Sequence, residues 1–217
     1  MGIPERRKRE KRLRRELVMD AAMAIFNEDG YHATTMEKIA ERSELSRAAL
    51  YLYFKSKDEI LIHAIVSQTD YFTRLLYEVY DHRHKFRDRL LDKLWECFIK
   101  FYEKEPITFN ATLYFHQSEM IRNLPKELSD SILRSGSQVV RLQHQIVEYG
   151  VQEGIFIQVD PRTLSEVIWT SFLGIVQLER SKQVLSRKIH LNVTRDLAIR
   201  VLVRGILKNK ITEESFT

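Results

Sequence analysis

The chain has 217 residues, with 35 basic and 30 acidic side chains and a formal net charge of +5. Its hydrophobic content of 44% supports a folded core, and only 7 Gly and 4 Pro favour long helices over a many-stranded β fold. The single cysteine, Cys97, excludes an intramolecular disulfide framework. No apolar run approaches the roughly 18 residues of a membrane span, and the charged start is unlike a secretory signal. We therefore expect a cytoplasmic, all-α protein without membrane association.

The charge is concentrated at one end of the sequence. Residues 1–15 carry eight basic and two acidic side chains, a net charge of +6, so the other residues sum to −1. A basic segment ahead of a nearly neutral body indicates a polyanionic partner, although a solvated tail has the same composition. We define residues 1–11 as a basic arm.

Three helices are predicted in the first part of the chain. Apolar residues at three- and four-residue spacing predict a helix from Leu13 to about residue 27, ended by Gly30. Thr34 and Glu37 have the spacing of a capping box and predict the start of the second helix. After a tight turn, Ser46 caps a third helix that runs to about Phe54.

The rest of the chain also has helical periodicity. A capping box at Ser56 and Glu59 opens a long helix towards Tyr80. The one candidate strand is the short run 155–157. About nine helices are expected in all, and the last five cover approximately residues 86–103, 106–121, 125–150, 161–178 and 191–207.

The second and third predicted helices, joined by a tight turn, form a helix-turn-helix. Leu50 and Phe54 would face the core, and an exposed Tyr51 suits contact with base edges, thymine methyls and sugars. Arg47, Ala48 and Leu52 would face outward beside Tyr51. Lys57, with Tyr53 and Lys55, is a candidate for contact with phosphates. Periodicity alone leaves open that three small helices merely pack together, with the aromatic residues as core filler.

From about Leu17 to Leu61 the chain resembles the N-terminal DNA-binding domain of TetR-type transcriptional regulators. The resemblance rests on ordered elements rather than on any single residue, and it covers about a quarter of the chain. These elements are Ala21-Ala22 with Phe26, Gly30-Tyr31, Thr34-Thr35-Met36 with Ile39-Ala40, Leu45-Ser46, and the run from Leu50 to Glu59. The resemblance implies an N-terminal three-helix DNA-binding domain followed by a larger helical domain for effector binding and dimerisation. We place these domains at residues 12–57 and 58–217.

The resemblance also assigns residue roles. It implies that Thr35 touches a phosphate and that Tyr53 and Lys57 clamp the DNA backbone. The base- or groove-facing positions it implies are Arg47, Ala48, Ala49 and Tyr51. The chain departs from the family pattern at two positions. Glu44 stands where the family often has Gly, and Ala48 stands where Gly or Pro is usual. If the backbone of Glu44 adopts the left-handed conformation, folding stability is lowered by on the order of 1 kcal/mol.

Two further sites are expected in the larger domain. A pocket for a small apolar or aromatic effector would be lined by aromatic residues and a few polar ones, although a plain core explains each of them as well. These residues are Trp95, Phe98, Tyr102, Phe115, His116, Met120 and Trp169. A dimer interface is indicated because two late helices carry more apolar surface than the single stripe that packs on a core, although burial of both helices within the monomer would explain the same pattern. Its candidate residues are Leu164, Ile168, Phe172, Ile175, Val193, Leu197 and Val201.

These features predict a homodimeric, ligand-responsive repressor that binds double-stranded DNA at a palindromic operator. Two-fold protein symmetry matches such an operator, because one helix-turn-helix reads only a half-site. We expect no enzymatic activity, no cofactor and no metal site, and an inert buried thiol at Cys97. The alternative from another class is a helical enzyme or ligand carrier whose small N-terminal bundle is only structural.

Overall fold

The computed structural model describes residues 3–104, 106, 109, 124–184 and 191–208. Nearly all of these residues are helical, as the sequence predicts. The helix expected over 106–121 lies outside the described residues except at Pro106 and Phe109. The described helices are α1 (Ile3–Glu28), α2 (Met36–Arg42), α3 (Arg47–Tyr51), α4 (Lys57–Asp81), a 3₁₀ helix (Arg83–Arg89), α5 (Leu90–Lys104), α6 (Lys126–Gln152), α7 (Pro161–Val184) and α8 (Leu191–Ile206).

The first helix begins ten residues earlier than predicted. It starts at Ile3 instead of Leu13, so residues 3–11 of the basic arm form the amino-terminal part of a 26-residue helix. Nothing after Pro4 breaks a helix, and Pro itself is tolerated in a first turn. One of its ion pairs at helical spacing joins Arg6 to Glu10 at 3.0 Å. The other end of α1 is as predicted, since Gly30 follows it with φ +83°.

Side-chain caps fix the ends of the helix-turn-helix. Thr35 is the N-cap of α2, where its hydroxyl accepts from the backbone N–H of Lys38 at 3.3 Å. The predicted Thr34 cap is therefore wrong by one residue: the buried Thr34 hydroxyl donates to the Gly30 carbonyl at 2.8 Å instead. The Ser46 cap of α3 is confirmed, because its hydroxyl accepts from the N–H of Ala49 at 3.2 Å.

The turn between α2 and α3 is left-handed at Glu44. Its φ is +55°, the conformation in which a side chain costs on the order of 1 kcal/mol relative to glycine. The N–H of the next residue, Leu45, donates to the Ala40 carbonyl at 2.9 Å and closes the turn. The departure from the family's glycine therefore affects local stability and leaves the turn intact.

One compact unit comprises residues 1–71 and 101–136. Its first core joins α1, α2 and α3 to the start of α4, with Ile39 and Leu50 fully buried. A second core joins α1 and α4 to Ile132 of α6. The small helices are therefore held on two sides by long ones.

The other compact unit comprises residues 72–100 and 137–217. The Asp160 carboxylate caps α7 as expected, accepting from the N–H of Thr163 at 2.8 Å. The candidate strand at 155–157 forms only an isolated antiparallel bridge, between Phe156 and Leu207. The buried Phe156 ring lies against Gly150 near the end of α6.

We predict that Gly150→Ala destabilises the protein. A Cβ at this position would overlap the ring of Phe156, which is fully buried and cannot move aside without repacking. Overpacking of this kind costs about 1–3 kcal/mol, measurable as a lower denaturation midpoint in urea. Gly136→Ala on the same helix is the matched control, since nothing lies within 4 Å of its Cβ position. We expect that control to be neutral or stabilising; equal losses in both variants would contradict the overlap.

Candidate nucleic-acid interface

The outer face of α3 carries an unusual set of exposed side chains. Tyr51 is 42% exposed and Leu52, directly after the helix, is 78% exposed. Arg47 and Ala48 are exposed as well, and Ala49 is half-buried. The inner face is buried through Leu50 and Phe54, as the periodicity predicts. A short helix is thus fixed on one side and free on the other, which is the arrangement that can enter a major groove.

Arg47 is held in place by residues on both short helices. Its guanidinium lies 3.0 Å from the Glu37 carboxylate of α2, and its Cζ is 5.8 Å from the centre of the Tyr51 ring. The pKa of Glu37 is lowered by a hydrogen bond from its own backbone N–H, then by the Thr35 hydroxyl and by Arg47. The carboxylate therefore stays charged and connects Thr35 with Arg47, two residues predicted to contact DNA.

The other cations on α2 are also paired. Lys38 lies 2.6 Å from Asp29, and Arg42 lies 2.8 Å from Glu28. All four side chains are about half-exposed, and such pairs contribute less than about 1 kcal/mol. An incoming phosphate can therefore replace these carboxylates at little cost. Lys55 is exposed directly after the helix-turn-helix.

Lys57, predicted to contact a phosphate, makes its polar contacts here within the protein. Its ammonium donates to the carbonyls of Tyr31 at 2.8 Å, Thr34 at 2.9 Å and His32 at 3.4 Å. Its Nζ also lies 4.5 Å from the centre of the Tyr31 ring. An ammonium has three N–H donors, and all three are used within the protein. In this structure Lys57 fastens the α1–α2 loop to the start of α4, and a phosphate would have to displace one of these carbonyls.

A second contact joins the same two segments. The Tyr31 hydroxyl donates to the carboxylate of Asp58, and its ring packs on Phe26 with centroids 5.2 Å apart. Burial, followed by the hydrogen bond and the charge of Asp58, raises the pKa of Tyr31. The hydroxyl therefore remains a donor at physiological pH. Together, Lys57 and Asp58 connect the first turn of α4 to the loop that precedes α2.

Arg15 is a residue that the sequence analysis missed. Its guanidinium donates to the Tyr53 carbonyl at 2.6 Å and lies 4.1 Å from the centre of the Phe54 ring. Burial and the nearby Arg15 charge lower the pKa of His63, which packs edge-on against the same ring. Because its partners are 38 and 39 residues away in sequence, no local pattern reveals the contact. Tyr53 itself is half-buried, and its backbone carbonyl is the atom held by Arg15.

The second unit contains a cluster of aromatic rings. Trp95, Phe98 and Trp169 belong to it, three of the residues expected to line the effector pocket. Phe98 and Trp169 have centroids 4.9 Å apart, and Trp95 meets Phe172 edge-on at 5.4 Å. Phe72, 5.9 Å from Phe98, also belongs to the cluster. Phe172, which the sequence analysis assigned to the dimer interface, is a member of this buried cluster.

Of the other expected pocket residues, the structure describes one, Tyr102. Tyr102 belongs to the first unit, where it packs edge-on against Phe109 with centroids 5.3 Å apart. Phe115, His116 and Met120 lie outside the described residues.

The second unit also buries two groups that can donate a hydrogen bond, the indole N–H of Trp95 and the thiol of Cys97. Trp95 is 2% exposed, and its indole N–H has no hydrogen-bond acceptor among the described residues. Such a buried donor is costly unless something accepts from it. Cys97 is buried too, which raises its pKa to about 12 and keeps the thiol protonated and unreactive.

The residues expected at the dimer interface fall into two groups. Leu164, Ile168, Phe172 and Ile175 are buried within the second unit, so they have almost no surface left for another chain and the assignment is corrected at these four positions. Val193, Leu197 and Val201 form an exposed stripe at four-residue spacing on α8. On α7 the exposed apolar residues are instead Val167 and Leu178.

Other kinds of site receive no support from the described residues. Within 3–104, 106, 109, 124–184 and 191–208, no three His, Cys, Asp or Glu side chains are grouped to hold a metal ion. None of the described helices combines the length and the apolar content that crossing a bilayer requires.

Comparison with known proteins identifies the domain that carries this surface. Residues 18–64 match the family model for bacterial regulatory proteins of the tetR family. The negative transcriptional regulator IcaR of the biofilm operon icaADBC, from Staphylococcus epidermidis, is 25% identical over 123 residues. That match covers 52% of this chain and 66% of the relative.

The fold extends the likeness to most of the chain. The TetR family transcriptional regulator PfmR from Thermus thermophilus superposes with a TM-score of 0.70 at 22% identity, covering 88% of this chain and 95% of that one. The regulator FadR from Bacillus subtilis, solved with stearoyl-CoA, has a TM-score of 0.62 at 22% identity and covers 88% and 98%. The exposed helix-turn-helix and the matched family model together indicate a DNA-binding transcriptional regulator. Residues 18–64 therefore match the DNA-binding domain of the tetR family of bacterial regulatory proteins, and the chain as a whole is similar in fold to regulators of that family.

We predict that Lys57→Met lowers stability by about 1–3 kcal/mol, because it removes the donor from three carbonyls, two of which are partly buried. Methionine keeps the aliphatic part of the side chain. Lys55→Met, at an exposed position, is the control and should leave the urea midpoint unchanged. An unchanged midpoint for Lys57→Met together with weaker DNA binding would restore the role of Lys57 as a phosphate contact.

Proposed function

We propose that this protein is a homodimeric repressor that binds a palindromic operator through α3 and is released by a small-molecule effector. The observation that carries the proposal is the exposed face of α3, with Arg47, Tyr51 and Leu52 outward and Leu50 fully buried behind them. Large apolar and aromatic side chains are costly to expose unless they have a partner. A major groove offers base edges and thymine methyls to such side chains.

The contacts on DNA divide into two kinds. In this proposal Tyr51, Leu52 and the small Ala48 contact the bases and methyl groups in the groove. Thr35 and Lys55 lie at the edges of the same surface and suit phosphates, which position a protein without reading sequence. Arg47 can serve either purpose, since Glu37 orients its guanidinium beside the Tyr51 ring. Tyr53 contributes its ring next to Lys55.

A second copy of the chain is the proposed occupant of the apolar stripes on α7 and α8. These helices pack on each other, and each carries exposed apolar residues on its outer side: Val167 and Leu178 on α7, and Val193, Leu197 and Val201 on α8. Joining two such pairs buries both stripes at once. It also supplies the two reading helices that a palindromic operator requires.

The aromatic cluster is proposed to line one end of the effector pocket. Its rings favour an apolar or aromatic molecule. The indole N–H of Trp95, which has no acceptor among the described residues, favours one with a hydrogen-bond acceptor. FadR from Bacillus subtilis, a structural neighbour, was solved with stearoyl-CoA, which combines a long apolar chain with carbonyl oxygens. Trp95 and Trp169 are the only tryptophans in the sequence, so the intrinsic fluorescence of the protein reports on this cluster.

Release would follow from a population shift between two arrangements of the dimer. Because Lys57 and Asp58 fasten the start of α4 to the loop before α2, a displacement of α4 carries the whole helix-turn-helix with it. An effector that binds better to the arrangement with mismatched half-site spacing would lower the affinity for the operator.

We predict that Tyr51→Ala lowers operator affinity by about 10- to 100-fold, the loss expected for about 1–3 kcal/mol of base readout. The DNA is the fragment that the wild-type protein enriches most from a random-sequence pool, and binding is measured by gel shift. Tyr77→Ala, at an exposed tyrosine of α4, is the control and should bind as the wild type does. Failure of the wild type to enrich any DNA, or equal binding by both variants, would refute the proposed function.

We predict that Leu197→Glu converts the dimer into a monomer. The new carboxylate would be buried without a partner at the centre of the α8 stripe, a cost of several kcal/mol on each side of a two-fold interface. Sedimentation equilibrium gives the mass directly. Leu133→Glu is the matched control, because Leu133 is 57% exposed and Leu197 is 55% exposed. A dimer that survives Leu197→Glu would place the interface elsewhere.

A further inference from the structure

The amino-terminal half of α1 carries more positive charge than the rest of the protein balances. All eight basic side chains of the first fifteen residues lie on this helix, with Glu5 and Glu10 as the only acidic residues among them. Lys8, Lys11 and Arg15 follow at spacings of three and four, and like charges at such spacings destabilise a helix. No carboxylate of the described residues lies within ion-pair distance of Lys8 or Lys11. This surface is therefore suited to a polyanion.

Arg15 shows which side of α1 faces α3 and its exposed surface. Its guanidinium reaches the Tyr53 carbonyl, two residues after the last residue of α3. Lys8, Lys11 and Arg12 precede it by seven, four and three residues, so they lie on the same side of α1. The row they form leads away from the end of α3 over about 10 Å.

We propose that this row, Lys8, Lys11 and Arg12, is a second contact with the DNA backbone, positioned against the reading helix by Arg15. The inference rests on the proposed function and adds a surface to it. Arg15 is a positioning residue: its charge is engaged by the Tyr53 carbonyl and the Phe54 ring, which anchors the side of α1 that carries the row beside the end of α3.

The helical state of this segment determines what it can contact. A minor groove is about 6 Å wide, whereas a helix with its side chains is about 10–12 Å across. The segment therefore cannot enter the groove as an extended arm would. Its side chains reach the phosphates beside the major groove that α3 occupies, so the row adds affinity and salt dependence without adding base readout.

Two double variants with the same charge change test the row. Lys8→Gln/Lys11→Gln removes two charges from the proposed face, and Arg6→Gln/Arg9→Gln removes two from other sides of the same helix. Affinity for the enriched DNA is measured between 50 and 200 mM salt. We expect the first variant to reduce the slope of log affinity against log salt by about 1.8 for each protomer, and the second to change it far less. Equal slopes for the two variants would overturn the inference.

Arg15 is tested by a variant that keeps the charge. Arg15→Lys loses the planar contact with carbonyl and ring, and Arg14→Lys at the exposed neighbouring position is its control. We expect Arg15→Lys to remove most of the slope that Lys8 and Lys11 contribute, while Arg14→Lys leaves it intact. A purely structural role for Arg15 would lower stability and leave that contribution unchanged. Wild-type protein that enriches no DNA would refute the proposed function itself, which distinguishes the two failures.

Discussion

The orientation of the exposed face of α3 depends on the burial of the opposite side of this five-residue helix. A helix as short as α3 has no stability of its own in water, because nucleation is unfavourable and few bonds follow it. It persists because Leu50 and Phe54 are buried, because Ser46 caps its start, and because Arg15 holds the carbonyl that follows its end. Only a helix fixed in this way can leave Tyr51 and Leu52 in solvent in one orientation, which is what base readout requires.

Charge is divided between two parts of the same domain. Residues 16–60, which include the helix-turn-helix, carry five basic and nine acidic side chains, a net charge of −4. Lys38, Arg42 and Arg47 are each paired with a carboxylate at the surface. These weak pairs keep the cations oriented and prevent indiscriminate attraction. The amino-terminal half of α1 carries the uncompensated charge instead. Attraction to the polyanion and discrimination between sequences can therefore be changed independently by mutation.

Local signals predicted most of the fold, and long-range contacts account for what they missed. Ser46, Asp160 and Gly30 have the expected capping or terminating roles because such interactions span only a few residues. The start of α1 was placed too late, since an almost entirely charged segment has no apolar period to detect. The Lys57 contacts span more than twenty residues and have no sequence signature. The sequence of α7 is apolar on nearly all sides of the helix. Its pattern therefore did not indicate which apolar residues are buried within one chain.

The two sides of α7 have different roles, which the sequence pattern did not distinguish. Its inner side carries Trp169 and Phe172 into the aromatic cluster, and its outer side carries Val167 and Leu178, which remain exposed. Protein interiors are close-packed, so a ligand that pushes the two rings apart must move the helix backbone as well. The outer side would then shift against whatever covers it. If a second copy covers it, the cluster and the dimer geometry are coupled through one rigid helix, and no further relay is needed between effector and interface.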